Sequence, residues 1–190
     1  KKNNKRTLSE RYIDRAECYA DMGDYDKALY DFNFAIELEP NNKSHLNDRG
    51  LFYYNYAKYD LALEDFESIL VIDPLYTYAL NNRALIYDKM GDIESAIKEY
   101  SRAIETAPTS PLSYRNRALD YQKIEEYDKA ILDYTQAINL HKKNGKRSLS
   151  ERHIERAECY EKMGNYDKAL YDYNLAIELE PRNMSHLNDR

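Results

Sequence analysis

Residues 77–110 read TYALNNRALIYDKMGDIESAIKEYSRAIETAPTS, and this stretch decides the fold. Ala84 stands three residues before Tyr87, and Ala96 four residues before Tyr100, with Gly91 between the two pairs. Residues three or four apart share one face of a helix, so each half presents a small residue beside an aromatic. The closing AIETAP is matched by AIELEP and ILVIDP upstream, which puts Pro40, Pro74 and Pro108 34 residues apart. Pro181 closes AIELEP again, 73 residues further on. Such a period marks stacked supersecondary units, each unable to bury its apolar face alone.

Working outward gives repeats at 9–42, 43–76, 77–110, 111–149 and 150–183, with a partial sixth over 184–190. One position of the first helix is small throughout: Ala16, Gly50, Ala84, Ala118 and Ala157. Tyr19, Tyr53, Tyr87, Tyr121 and Tyr160 follow three residues later. In the second helix Ala28, Ala62, Ala96, Ala130 and Ala169 precede Phe32, Phe66, Tyr100, Tyr134 and Tyr173 by four. A small residue lets two helix backbones approach, and the facing aromatic fills the space beside it.

Local signals set the boundaries. Thr7 with Glu10, and Ser148 with Glu151, read as capping boxes, and Ser110 ahead of Pro111 as an N-cap followed by proline at the first helical position. Gly23, Gly91 and Gly164 occupy the inner turns, where repeats two and four have Ala57 and Glu125. Asp26, Asp60, Glu94, Asp128 and Asp167 open the second helices, where the macrodipole favours negative charge. Ten full helices in antiparallel pairs are expected.

These motifs resemble the tetratricopeptide repeat family over nearly the whole chain. The resemblance implies an all-α fold, a right-handed superhelical solenoid of antiparallel helix-turn-helix repeats, acting as a non-catalytic scaffold that binds a protein or peptide in its concave groove. One departure is Arg where the family usually has Leu, at Arg15, Arg49, Arg83, Arg117, Arg156 and Arg190. Asp31, Asp65, Glu99, Asp133 and Asp172 recur on the second helices. A charge wedged between helices needs a partner, so an inter-helix Arg–carboxylate ladder is expected. The rival role for the arginines is a strip reading an acidic ligand.

By position, the family's groove maps onto Asn47, Asp48, Leu51, Tyr54 and Asn55 in repeat two. Repeat three adds Tyr78, Asn81, Asn82 and Asp88, and repeat four Arg115, Asn116, Leu119 and Lys123. Asparagines both donate and accept, which suits holding a peptide backbone, and Arg115 suits a carboxylate. The clamp of the chaperone-tail-binding subset falls on Ile13, Glu17, Tyr78 and Asn82 and is absent as such. Acids flank the groove at Glu10, Asp14, Glu17 and Asp21, and again at Glu151, Glu155, Glu158 and Glu161. A partner with a neutral centre and basic flanks complements that pattern.

A second period lies above the first. Residues 1–49 and 142–190 are one text with about eleven substitutions, a super-period of 141 residues. Residues 1–8 and 142–149 are equivalent basic junctions, expected as solvated loops, with docking to an acidic partner as the sharper reading. The opening residues look like the middle of a longer protein, expected to hold further such blocks. A mid-helix end leaves apolar surface, so self-association through exposed array ends is the alternative function. A sensor or substrate-recruiting segment of a larger enzyme is another.

Composition narrows the classes. A net charge of −6 argues against nucleic acid, which needs a basic face, and the 34-residue period disfavours the similar RNA-reading helical repeats. No apolar run suggests a membrane span. Cys18 and Cys159 occupy equivalent positions in distant repeats and read as small buried residues, in a cytoplasmic setting. His45, His141, His153 and His186 show no zinc-ligand spacing, and His45 and His186 read as surface residues. No nucleophile motif or phosphate loop occurs, so no catalytic residue, metal or cofactor is assigned and the chain is read as not an enzyme. The twenty tyrosines are expected mostly in hairpin cores and turns, with Tyr54 and Tyr78 facing the groove.

Overall fold

The computed structural model describes residues 6–141 and 146–180, with backbone alone at 146–148. Among them are ten α-helices: α1 Leu8–Asp21, α2 Tyr25–Leu38, α3 Lys43–Asn55, α4 Tyr59–Ile72, α5 Thr77–Met90, α6 Ile93–Thr106, α7 Pro111–Lys123, α8 Tyr127–His141, α9 Lys146–Lys162 and α10 Tyr166–Leu179. The chain divides into two compact units, residues 1–91 and 92–190. In the first, α1 to α5 pack each on the next, and the first helices also touch, α1 on α3 and α3 on α5. In the second, α6 to α10 pack each on the next. The division falls in the turn of the third repeat. The first junction's residues 1–5, residues 142–145 of the second, and the partial repeat with Pro181, His186 and Arg190 lie outside the described residues. α9 begins at Lys146, so residues 146–149, expected as a loop, are helical, and Ser148 stands inside the helix rather than at its N-cap.

Small and aromatic residues build the core as their spacing dictates. Ala16, Ala84, Ala118 and Ala157 are fully buried, as are Phe66 and Tyr134, while Phe32 and Tyr100 are nearly so. Burying such a side chain is worth about 2–3 kcal/mol each. A Cβ added at Gly50 would meet the Phe66 ring at 2.9 Å.

The inner turns need a left-handed residue. Gly23, Gly91 and Gly164 take φ of 76°, 83° and 72°, and Ala57 and Glu125 adopt the same conformation at 53° and 62°. For a residue with a Cβ this costs roughly 1–2 kcal/mol. Asp24, Asp92 and Asn165 then cap α2, α6 and α10 by accepting a backbone N–H, but Lys58 at the start of α4 gives no side-chain cap. Thr7 and Glu10 form the expected capping box. Ser110 sits at the N-cap of α7 with Pro111 following, though its hydroxyl makes no cap hydrogen bond.

The arginine ladder forms in the four pairs that lie within one unit. Arg15, Arg49, Arg117 and Arg156 each give Nε and Nη2 to the two oxygens of Asp31, Asp65, Asp133 and Asp172, at 2.6 to 2.9 Å. In three of them Nη1 also reaches the preceding second helix. Arg49 meets Asn33 at 2.7 Å, Arg117 meets Ser101 at 2.9 Å, and Arg156 meets Thr135 at 2.9 Å. Arg therefore ties three helices where Leu fills only space, and its planar fork suits the task.

Three expectations are corrected. Cys18 is exposed, whereas Cys159 is buried. Cys159 joins Ala118, Ala130 and Tyr134 in one apolar cluster, using α8 as cover, and no described helix precedes α1 to do the same for Cys18. His45 is also buried, as are Ala79 and Ser113 at the same repeat position, and its ring lies 3.3 Å from the Asn42 amide. Among the tyrosines, Tyr30 and Tyr171 on second helices are about two-thirds exposed rather than in the core. Neither follows a small residue by four; Tyr30 stacks on Phe34 of its own helix at 6.4 Å, and Tyr171 rims a cleft with Ile138, Leu149 and Arg156.

Candidate functional site

The first helices of the first unit enclose two clefts. One, of about 460 Å³, is lined from α1 by Glu10, Ile13 and Asp14, from α3 by Ser44, His45 and Asp48, and by Arg6, Thr7 and Asn42. The other, of about 410 Å³, is lined by Glu17, Ala20 and Asp21 of α1, Phe32 of α2, and Asp48, Leu51, Phe52, Asn55 and Tyr56. Asp48 is the wall common to both. The second cleft has three carboxyl groups and no basic side chain among its lining residues.

The reason lies in how neighbouring first helices bond. At the α3–α5 contact Asn82 Nδ2 donates to Asn47 Oδ1 at 3.1 Å. At the corresponding α7–α9 contact Arg115 donates through Nη2 to Glu155 at 2.6 Å and through Nε at 3.0 Å. Arg115 precedes Glu155 by the same repeat offset that relates Asn47 to Asn82 and Ile13 to Asp48. Ile13 has no donor. Asp48 consequently accepts, among the described residues, only a long bond of 3.4 Å from its neighbour Asn47. Burial pushes the Asp48 carboxyl above the usual range, against the pull of that bond and of His45. Glu17 is pushed up as well, first by burial and then by the charges of Asp48 and Asp21. Asp48 is half-buried and Glu17 exposed beside it, and such a poorly neutralised acid pair favours a cation brought to it.

The other expected groove residues divide. Asp48, Leu51 and Asn55 line the acidic cleft, and Asn47 and Asn82 bond to each other beside it. Tyr54 turns toward Tyr59 of its own hairpin, with ring centroids 5.9 Å apart, and Tyr78 is exposed near Tyr76. Asn81 is buried, its Nδ2 bonded to the Thr77 carbonyl at 2.9 Å, so it presents no amide to a ligand. Asp88 is half-buried on α5. In the second unit Arg115 is engaged by Glu155, which Arg152 also contacts at 2.6 Å, so the guanidinium is not waiting for an outside carboxylate. Leu119 packs on the α7–α9 core cluster, Asn116 is half-buried, and Lys123 lies 3.1 Å from Asp120 on its own helix. Sequence reading placed Ile13 and Glu17 at groove positions and Asp21 on the groove's acidic flank, but missed His45 as a cleft wall.

The tetratricopeptide repeat model matches residues 9–42, 77–110 and 150–183. The chain belongs to the tetratricopeptide repeat family. No curated protein matches its sequence. Among solved structures, MamA (41-end) from Desulfovibrio magneticus RS-1 is 18% identical with a TM-score of 0.76, over 96% of this chain and 97% of that one. TTC0263, a thermophilic tetratricopeptide protein of Thermus thermophilus, is 23% identical with a TM-score of 0.66, over 93% and 94%. YrrB, described as having an unusual peptide-binding site, is 18% identical with a TM-score of 0.69, over 93% and 88%. At these identities the likeness shows a shared tetratricopeptide fold. No described helix is long and apolar enough to cross a membrane.

Proposed function

We propose that this tetratricopeptide protein is a non-catalytic scaffold that binds an extended basic segment of a partner protein across the first-helix face of its first unit. The observation that carries this reading is the cleft between α1 and α3, where Glu17, Asp21 and Asp48 meet with no basic side chain in the lining. A Lys or Arg of the partner supplies the donor that Ile13 does not. The Asn47–Asn82 pair beside the cleft offers amide groups to a peptide backbone. Family membership and the peptide-binding site named for YrrB support the general class of partner.

Fluorescence anisotropy with an extended peptide carrying spaced lysines, a matched glutamate peptide and a neutral one tests the reading. The lysine peptide is expected to bind best, to weaken as salt rises, and to lose affinity when Glu17→Gln and Asp48→Asn are combined. Equal binding of all three peptides, or an unaffected double variant, overturns it.

A further inference from the structure

We infer that the cleft where α8, α9 and α10 meet is a second binding site, which takes an aromatic side chain of a partner protein that carries its own hydrogen-bond donor, tryptophan above all. It lies wholly in the second unit and shares no residue with the peptide cleft, so the two readings stand or fall separately.

The cleft, of about 490 Å³, has apolar walls in Ile138 of α8, Leu149 of α9, and Leu175 and Leu179 of α10. His153 lines it as well and is only 7% exposed. Its Nδ1 meets Asp172 Oδ1 at 2.8 Å. A carboxylate only accepts, so Nδ1 carries the proton and Nε2 of the neutral ring is left as an acceptor. Among the described residues Nε2 makes no hydrogen bond. Arg156 also borders the cleft, but all three guanidinium nitrogens are engaged, two by Asp172 and one by Thr135. Glu178, exposed at the rim, adds a carboxylate, and Asn139 beside it can donate or accept. The polar groups that meet an occupant are thus mainly acceptors, one of them negative. They complement an apolar ring with an N–H or O–H of its own and repel an aromatic acid.

Two of the substitutions between the 141-residue blocks make the room. His153 and Leu175 stand where the first block has Tyr12 and Phe34. Those two pack ring on ring, with centroids 4.6 Å apart. In the second block both rings are gone, and the histidine that replaces one of them presents a nitrogen able to hold the donor of an incoming ring. The opening does not depend on the chain that follows α10. Tyr30 on α2 holds the position of Tyr171, and Leu38 on α2 and Ile72 on α4 hold that of Leu179. All three remain exposed although the chain beyond them is described. A pocket for a free small molecule buries about 70–90% of its ligand. With Tyr171 and Glu178 exposed at its edge, this cleft is too open for that. It suits a ring presented by a larger surface.

Titration of the full chain with N-acetyltryptophanamide tests the inference, followed through the methyl resonances of Ile138, Leu149, Leu175 and Leu179. The chain has no tryptophan, so the fluorescence anisotropy of the probe gives the affinity without background. Shifts are expected to concentrate on those four methyls. The 1-methyl analogue, which keeps the ring and loses its N–H, should bind several-fold more weakly. Bare indole should also bind less well, because it lacks the backbone N–H groups that Glu178 can accept. His153→Leu, the residue at that place in repeats two and three (Leu46 and Leu80), should weaken the capped tryptophan several-fold and leave the 1-methyl analogue unchanged. His153→Tyr with Leu175→Phe restores the pair that packs in the first block, so helical content should hold while the shifts vanish. Absence of shifts at the solubility limit of the probe overturns the inference. So do equal affinity for the 1-methyl analogue and shifts that persist in the double variant. Indole binding as tightly as the capped residue overturns it too, and assigns the cleft to a free compound.

Discussion

Arg117 and Asp133 meet side-on, Nε to one carboxylate oxygen at 2.7 Å and Nη2 to the other at 2.8 Å, with both side chains largely shielded from water. Asp133 sits on α8 and Arg117 on α7, while Ser101 on α6 takes the remaining guanidinium nitrogen. The pair fixes the angle at which a hairpin closes, and it does so at a depth where an unpaired charge is expensive.

Removing one partner should therefore cost far more than removing both. Arg117→Leu is expected to destabilise by about 3–5 kcal/mol, because it strands the Asp133 carboxylate. Arg117→Leu combined with Asp133→Leu should recover most of that loss. A urea double-mutant cycle measures the coupling, and additive losses would show that the pair is not energetically linked.

The turn of repeat two lacks both devices present elsewhere, a glycine at the left-handed position and a capping acid at the start of the second helix. Ala57→Gly together with Lys58→Asp should stabilise the chain by about 1–2 kcal/mol, from relieved backbone strain and a new cap. The melting temperature reports it. The opposite change, Gly91→Ala, should destabilise by about 1 kcal/mol for the same reason.

Gly50→Ala sets helix propensity against packing. Alanine gains about 1 kcal/mol in an open helix. Its Cβ, however, would lie 2.9 Å from the ring of Phe66, which is fully buried and has nowhere to turn. Overpacking costs about 1–3 kcal/mol, so a net loss is expected in thermal unfolding. Pairing Gly50→Ala with Phe66→Leu should restore part of it.

Asp48 is held above its unfolded-state pKa chiefly by burial. Such a carboxyl binds its proton more readily folded than unfolded, so stability is gained as pH falls through its folded pKa and is lower above it. Asp48→Asn should then raise the melting temperature at pH 7, with the gain shrinking as pH falls through the Asp48 range. A gain that is constant with pH would assign the effect to packing. The same substitution weakens the proposed peptide site, a trade of stability for binding.

The hairpins were legible in the sequence because each is made by neighbours in the chain. The small–aromatic pairs, the turn residues and the arginine–carboxylate spacing of 16 residues all lie within one repeat, so periodicity and backbone preference suffice to place them. The third bond of the arginines was not legible, since its acceptor belongs to the previous repeat and varies among Asn33, Ser101 and Thr135.

The candidate site shows the same division. That Asp48, Leu51 and Asn55 share a face follows from helical spacing alone. Whether Asn81 or Arg115 is available to a ligand depends on which group reaches it, and both proved engaged. Likewise Cys18 and Cys159 have nearly identical sequence surroundings and opposite exposures. Sequence by itself determined the local element and its inward face, through periodicity and backbone preference. Only tertiary structure decided which equivalent residue is covered and which charge is paired, because burial and neutralisation are properties of the neighbour a residue meets.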